Sequence, residues 1–387
     1  MLRKNPKLPE MHNLNSENNY SCSWPNFEQT LLLRAALLQG EEAMDSWHKW
    51  RTSADIEALD VESYRLLPLL YRNLSAHDVT DLHMARLKGV YRRTWCENQV
   101  LLQQVAAIIS CFQKDGIKTI LLKDAALNIH YYKDYGLRMI HNFDFLVHPA
   151  DALAAVTLLQ KSGWRAKGKI PDTITPFFHT LGFENELKQQ FNLRWHLFAD
   201  GFQEDAEKDF WDSAILTKLD DLSTYVLNPT EQLLYVCVYG GMNNFVFPIS
   251  RLADAAILLN SYQAEIDWNR LVTLAQKYRL ILPLQNILAK LPEILNAPIP
   301  LSILQQVQNL PVSKFERSEY QLTSRKEKSA SERLIIRYLQ YSRTVNTDNF
   351  KLRFLGFPRY LQYIWGLEHL WEVPFQAMIR GIKRLIW

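Results

Sequence analysis

The sequence predicts an α+β protein, with a small mixed β-sheet core flanked by N-terminal and C-terminal helical modules. Three observations carry that prediction. Residues 26–115, and again those from Asn228 onward, place apolar side chains at helical spacing. The stretch between them holds short apolar or alternating runs of strand length. Those runs are ordered strand, helix, strand, helix, strand, strand, which argues a mixed sheet with helices on one side. A chain of 387 residues is long for one core and suggests two or three packed modules.

The elements follow in order. Residues 1–25 are polar, lack the apolar run of a signal peptide, and read as a disordered lead-in. In 26–115, NFEQTLLLRAALLQG is a helix stopping at Gly40, SWHKWRTSADIEALDVESYRLLPLLYRNL follows, and a long amphipathic segment runs from Thr80 to Lys114. The core spans 116–225. IKTILL and NFDFLV are strands, DALAAVTLLQKSGW is a helix ending near Gly163, and GFENEL with FNLRWHLF form an antiparallel pair around Lys188. In 226–346, four amphipathic segments precede a break at Pro298 and Pro300, with Asp267 as N-cap of the third. SASERLIIRYLQYSR adds one more helix, and 347–387 is a basic, aromatic tail.

Composition narrows the function classes. Hydrophobic residues make up 48% and charged ones 22%, as in ordinary folded proteins, and the net charge is +3. So mild a balance gives no reason to expect specific nucleic-acid binding. Cys22, Cys96, Cys111 and Cys237 form no CxxC pair, so a reducing cytoplasm fits best. No apolar run reaches the roughly 18–20 residues that span a bilayer. The tail mixes six Lys and Arg with Trp365, Trp371 and Trp387. It suits either peripheral contact with an anionic membrane through 350–387 or docking on the protein's own helices.

The segment from Ile117 to Val147 carries the chemistry. An apolar strand leads into a turn with Lys123 and Asp124, then a helix, Arg138, and a second strand bearing Asn142 and Asp144. Residues two apart on a strand share a face, so two carboxylates so placed can share a pair of magnesium ions. Such ions activate the attacking oxygen and neutralise departing pyrophosphate. A cationic turn at a helix N-terminus meets the triphosphate.

LLKDAAL, YKDYGLR, NFDFLV and NLRWHLF, with the helical lead LLRAALLQGEEA and SYRLLPLLYRNL, resemble the uncharacterised nucleotidyltransferase family of bacteria. That family is a branch of the DNA polymerase β-like superfamily, and the resemblance covers residues 29–260. It implies a nucleotidyltransferase-like core that moves a nucleoside monophosphate from a nucleoside triphosphate to an unidentified acceptor, with Mg2+ as cofactor. Asp144 would be the main metal ligand, with Asn142 and Asn192 as weak ones, and Lys123 and Arg138 would contact phosphates.

This chain departs from the pattern where the chemistry sits. The first and third carboxylate positions are Asn142 and Asn192, the turn Gly is Asp124, a His position is Arg194, and a later His is Tyr239. Two magnesium ions carry four positive charges; three carboxylates offset three, whereas Asp144 offsets one. Losing even an outer partner of a metal ligand costs about 10–100-fold in affinity or activity. Transfer is therefore expected to be weak or lost. The alternative is an inactive relative that binds a nucleotide or a protein partner.

Residue by residue, two readings stand for most of the set. Asp144 is a metal ligand or the polar face of a half-buried strand. Lys123 contacts phosphate or is a solvated turn residue, and Arg138 clamps phosphate or pairs with Asp144. Arg194 stacks on a base or covers the Trp195 indole at the surface. His179 and His196 are expected to be structural, and Gly240-Gly241 a helix C-cap.

Overall fold

The computed structural model describes residues 24–382 apart from 142, 172, 175–178, 199–206, 240–247, 326 and 346–349. The expectations for the lead-in before Trp24, Cys22, Asn142, Gly240-Gly241 and residues 383–387 therefore lie outside the described residues.

Helix α1 (Phe27–Leu37) starts with a reciprocal cap: Asn26 accepts from the Gln29 amide at 2.8 Å, and the Gln29 side chain accepts from Asn26 N. It is followed by α2 (Gly40–Ser53), and Gly40 takes φ +63°, the left-handed conformation that separates the two. Short α3 (Val61–Tyr64) and α4 (Leu67–Ala76) lead to the 31-residue α5 (Met84–Lys114). The C-terminal half of α5 buries Leu102, Val105, Ile108, Ile109 and Phe112 against the sheet.

Strand β1 (Thr119–Leu122) runs into a single turn, α6 (Lys123–Ala126), and a π-helical turn at Leu127–Tyr132 that Lys133 ends in the left-handed region. Then come β2 (Phe143–Val147), α7 (Ala152–Lys161), β3 (Arg165–Ala166), β4 (Thr180–Glu184), β5 (Gln190–Arg194), α8 (Lys208–Ser213), β6 (Ile215–Leu219) and β7 (Leu222–Val226). The sheet is ordered β3-β4-β5-β2-β1-β7-β6. It is mixed: β1 is antiparallel to β2 and parallel to β7, and β2 is parallel to β5. The β6–β7 hairpin and β3 extend it beyond the strands read from sequence.

Both faces of the sheet are covered, which corrects the one-sided expectation. Side chains alternate along a strand. Leu121, Phe143, Phe145 and Val147 join the α5–α7 core, whereas Ile120, Leu122 and Leu146 join the core of the remaining helices. That second core is built from α1, α2 and α4 together with α9 (Pro229–Val238), α10 (Ile249–Tyr262), α11 (Trp268–Lys277) and α12 (Ile281–Leu295). Asp267 caps α11 as expected, at 2.9 Å from Arg270 N. After the proline break come α13 (Leu301–Gln308), α14 (Lys314–Thr323), α15 (Ala330–Thr344), α16 (Phe350–Ile364) and α17 (Glu372–Ile382). The last three share a small separate core of Tyr341, Tyr360, Leu361 and Val373. Among the described residues no helix is long and apolar enough to cross a membrane.

Candidate functional site

The site forms where β1, β2 and β5 end against α9 and α10. Strand register places its first group. Asp144 lies opposite Leu122 on β1 and Asn192 on β5, and Arg194, two residues on from Asn192, shares that face. The Asp144 side chain is fully buried. Asn192 donates its amide to Asp144 Oδ1 at 2.9 Å, while Arg194 Nε at 2.5 Å and Lys123 Nζ at 2.9 Å meet Oδ2. Lys123 reaches in from the strand–helix turn, where it takes φ +60°. Burial alone would raise the Asp144 pKa, but Arg194 and then Lys123 outweigh it and hold the carboxyl below its ordinary range. Burial works against the Arg194 charge, and Asp144 more than restores it.

A second knot fixes the loop before β2. Arg138 forks onto Asp254 of α10 at 2.8 and 3.1 Å and onto Asp124 at 2.9 Å. Tyr132 donates to Asp254 at 2.7 Å, and His141 N donates to Asp124 at 3.1 Å. Asn98 of α5 ties the same loop from behind, donating to the carbonyls of Tyr135 and Arg138 and accepting from Ile140 N. Pairing of Arg138 with Asp144 is thus corrected. Asp254 and Asp124 take its donors, and Asp144 already has two cations. Lys123 is buried rather than solvated. Arg194 is buried too and is not a surface cover for the Trp195 indole, because Trp195 faces the opposite core.

Tyr239, at the end of α9, covers the first group. Its ring lies 4.8 Å from Lys123 Nζ, 5.6 Å from the Arg194 guanidinium and 5.5 Å from that of Arg251, and it stacks on Tyr235 at 4.9 Å. Helical spacing puts Gln232, Tyr235 and Tyr239 on one face of α9. Among the described residues, the Gln232 amide and the Tyr235 hydroxyl are fully buried without hydrogen-bond partners, and Arg251 Nη1 makes no hydrogen bond but lies 3.8 Å from Asp254 Oδ2. Arg251 and Tyr235 were missed from sequence; the available signal was their place one helical turn before Asp254 and Tyr239. His179, half-buried in accessible area, has its pKa pushed down to about 3 by desolvation and the Arg194 charge and is held neutral. His196 lies beside Glu207 at 3.5 Å.

A family model described as an uncharacterised nucleotidyltransferase matches residues 61–296, more than half of the 387. The chain belongs to this nucleotidyltransferase family. A comparison with curated proteins finds no match. Every residue of the two clusters lies inside the nucleotidyltransferase match, and α13–α17 lie beyond it.

The family's chemistry calls for a nucleoside triphosphate and divalent metal, so the fit of the metal to these residues decides the reading. Both Asp144 oxygens are already engaged, one by an amide and the other by two cations. Across both clusters four cationic side chains (Lys123, Arg138, Arg194, Arg251) face three carboxylates (Asp124, Asp144, Asp254). Among the described residues no group of three His, Cys, Asp or Glu is arranged to hold a metal ion. The described residues of this nucleotidyltransferase site do not fit a magnesium pair. A divalent ion would have to expel an ammonium and a guanidinium to reach a single carboxylate.

Proposed function

We propose that this nucleotidyltransferase-family protein binds a nucleoside triphosphate through its phosphates without a metal, with transfer to an acceptor weak or lost. One observation carries the reading: Lys123 and Arg194 occupy the carboxylate that would hold the cation. Two-metal transfer needs ions that clamp the attacking and leaving oxygens. Fixed side-chain cations can cradle phosphate but do not generate a nucleophile as a metal does. The positive surplus of the two clusters, four cationic side chains against three carboxylates, favours an anion. A carboxylate at this turn would repel a triphosphate, but Asp124 is paired with Arg138 at 2.9 Å.

The test is thermal stabilisation by a panel of nucleoside triphosphates in EDTA and in magnesium, followed by label transfer from α-labelled nucleotide. Stabilisation that is equal in EDTA, reduced in Arg251→Ala, and unaccompanied by transfer supports the reading. Stabilisation only with magnesium, with label transferred, would identify a working two-metal enzyme. No response to any nucleotide would point to a protein-binding relative. Asn192→Asp should make magnesium stabilising, because it sets a second carboxylate directly across from Asp144.

A further inference from the structure

The end of the described chain carries an apolar face that no described residue covers. The inner sides of α16 and α17 are used: Tyr360, Leu361 and Val373 pack with Tyr341 of α15, and Phe357 sits edge-on to Tyr338 at 5.2 Å. The outer sides are not. Leu355 is 70% exposed, Trp371 65%, Phe375 58% and Met378 57%, with Ile379 beside them. Trp371, Phe375, Met378 and Ile379 are spaced i, i+4, i+7, i+8, which makes one stripe along α17 and the residue before it. A row of large apolar side chains this exposed marks a contact surface rather than ordinary scatter.

Charge indicates the kind of partner. Residues 351–387 hold six Lys and Arg against two Glu, so this tail alone is more positive than the whole chain at +3. Two of those cations are exposed beside exposed apolar residues: Arg359 on α16, one turn after Leu355, and Arg380 on α17, next in sequence to Ile379. Arg380 also lies over the Trp365 ring at 5.0 Å, pairing a cation with an aromatic as side chains at a lipid headgroup layer do. A second copy of the same basic surface would be repelled. An anionic bilayer offers negative headgroups to the arginines and an apolar layer to the stripe. With 11 residues, α17 is too short to span a membrane but long enough to lie in its surface.

We propose that the α16–α17 pair docks the protein on an anionic phospholipid surface, with the Trp371–Ile379 stripe at the acyl boundary and Arg359 and Arg380 on headgroup phosphates. The test is co-sedimentation of the full chain with phosphatidylcholine vesicles and with vesicles carrying about one-third phosphatidylserine. The expected result is binding to the anionic vesicles only, weakened at least tenfold when salt shortens the Debye length to a few Å. Trp371→Ser with Phe375→Ser should lose binding at least tenfold while melting at the wild-type temperature, since both side chains are exposed. Arg359→Glu with Arg380→Glu should do the same. Absence of wild-type binding, or equal binding by the Trp371/Phe375 variant, overturns the proposal. So does a dimer in light scattering that the same substitutions dissociate, because the face would then belong to a second copy.

Discussion

Replacing Asp144 by Asn separates a built-in ion cluster from a vacated metal site. In wild type the carboxylate is fully buried, with Lys123 Nζ at 2.9 Å and Arg194 Nε at 2.5 Å. At an effective dielectric of about 20, one such pair attracts with on the order of 6 kcal/mol, most of it offset by desolvation of the two charges. The variant keeps that desolvation for both cations and loses the attraction. Removing one partner of a buried pair costs about 3–5 kcal/mol. At about 2 °C per kcal/mol for a large domain, the melting temperature should fall by roughly 6–10 °C. The assay is thermal unfolding followed by circular dichroism in EDTA. Acid should mimic the substitution. Because the folded pKa lies below the ordinary value, the stabilisation is full above about pH 4 and is lost as pH falls through the folded value. A metal ligand would behave oppositely, since removing an uncompensated carboxylate in EDTA leaves stability unchanged or raised. Melting of Asp144→Asn at or above the wild-type temperature would refute the reasoning.

Three further outcomes follow from the same structure. Arg138→Met strands the buried Asp254 and Asp124 and should cost about 3–5 kcal/mol, read by urea denaturation, with Asp254→Asn added in the same background recovering part of the loss. Gly136→Ala places a Cβ 2.3 Å from the Tyr91 ring and should cost about 1–3 kcal/mol by the same denaturation; Tyr91→Leu in combination should relieve some of it. His179, with a folded pKa near 3 against about 6.5 unfolded, binds its proton far more readily in the unfolded chain. Its contribution is therefore lost as pH falls below about 6.5, and its imidazole resonances should show no titration between pH 5 and 8 in NMR spectra.

How much of this was legible depended on whether a residue's role is local. The cap at Asp267, the long α5 and the β2 strand follow from period and capping chemistry within one segment, and all are present. Asp144 and Asn192 were named through the family resemblance, and the strand register sets them opposite each other. The ion pairs were not legible, because each joins residues distant in sequence. Arg138 meets Asp254 across 116 positions, and Arg194 meets Asp144 across 50. Nothing in YGLRM distinguishes a carboxylate 14 residues away from one much farther on. The β6–β7 hairpin was hidden by an Asp220-Asp221 turn, in which Asp220 takes the positive φ that Asn-Gly or Asp-Gly would advertise. The one-sided sheet was a misjudgement of β1. Its TILL run is buried on both faces, the mark of a central strand with helices on each side.

Binding of manganese(II) to the purified protein, followed by the free-ion signal in electron paramagnetic resonance, tests most directly whether lysine and arginine have replaced the metals. Wild type is expected to leave the free signal undiminished at micromolar manganese, and Asn192→Asp to begin to remove it. One tightly held manganese per wild-type chain, lost in Asp144→Asn, would contradict it.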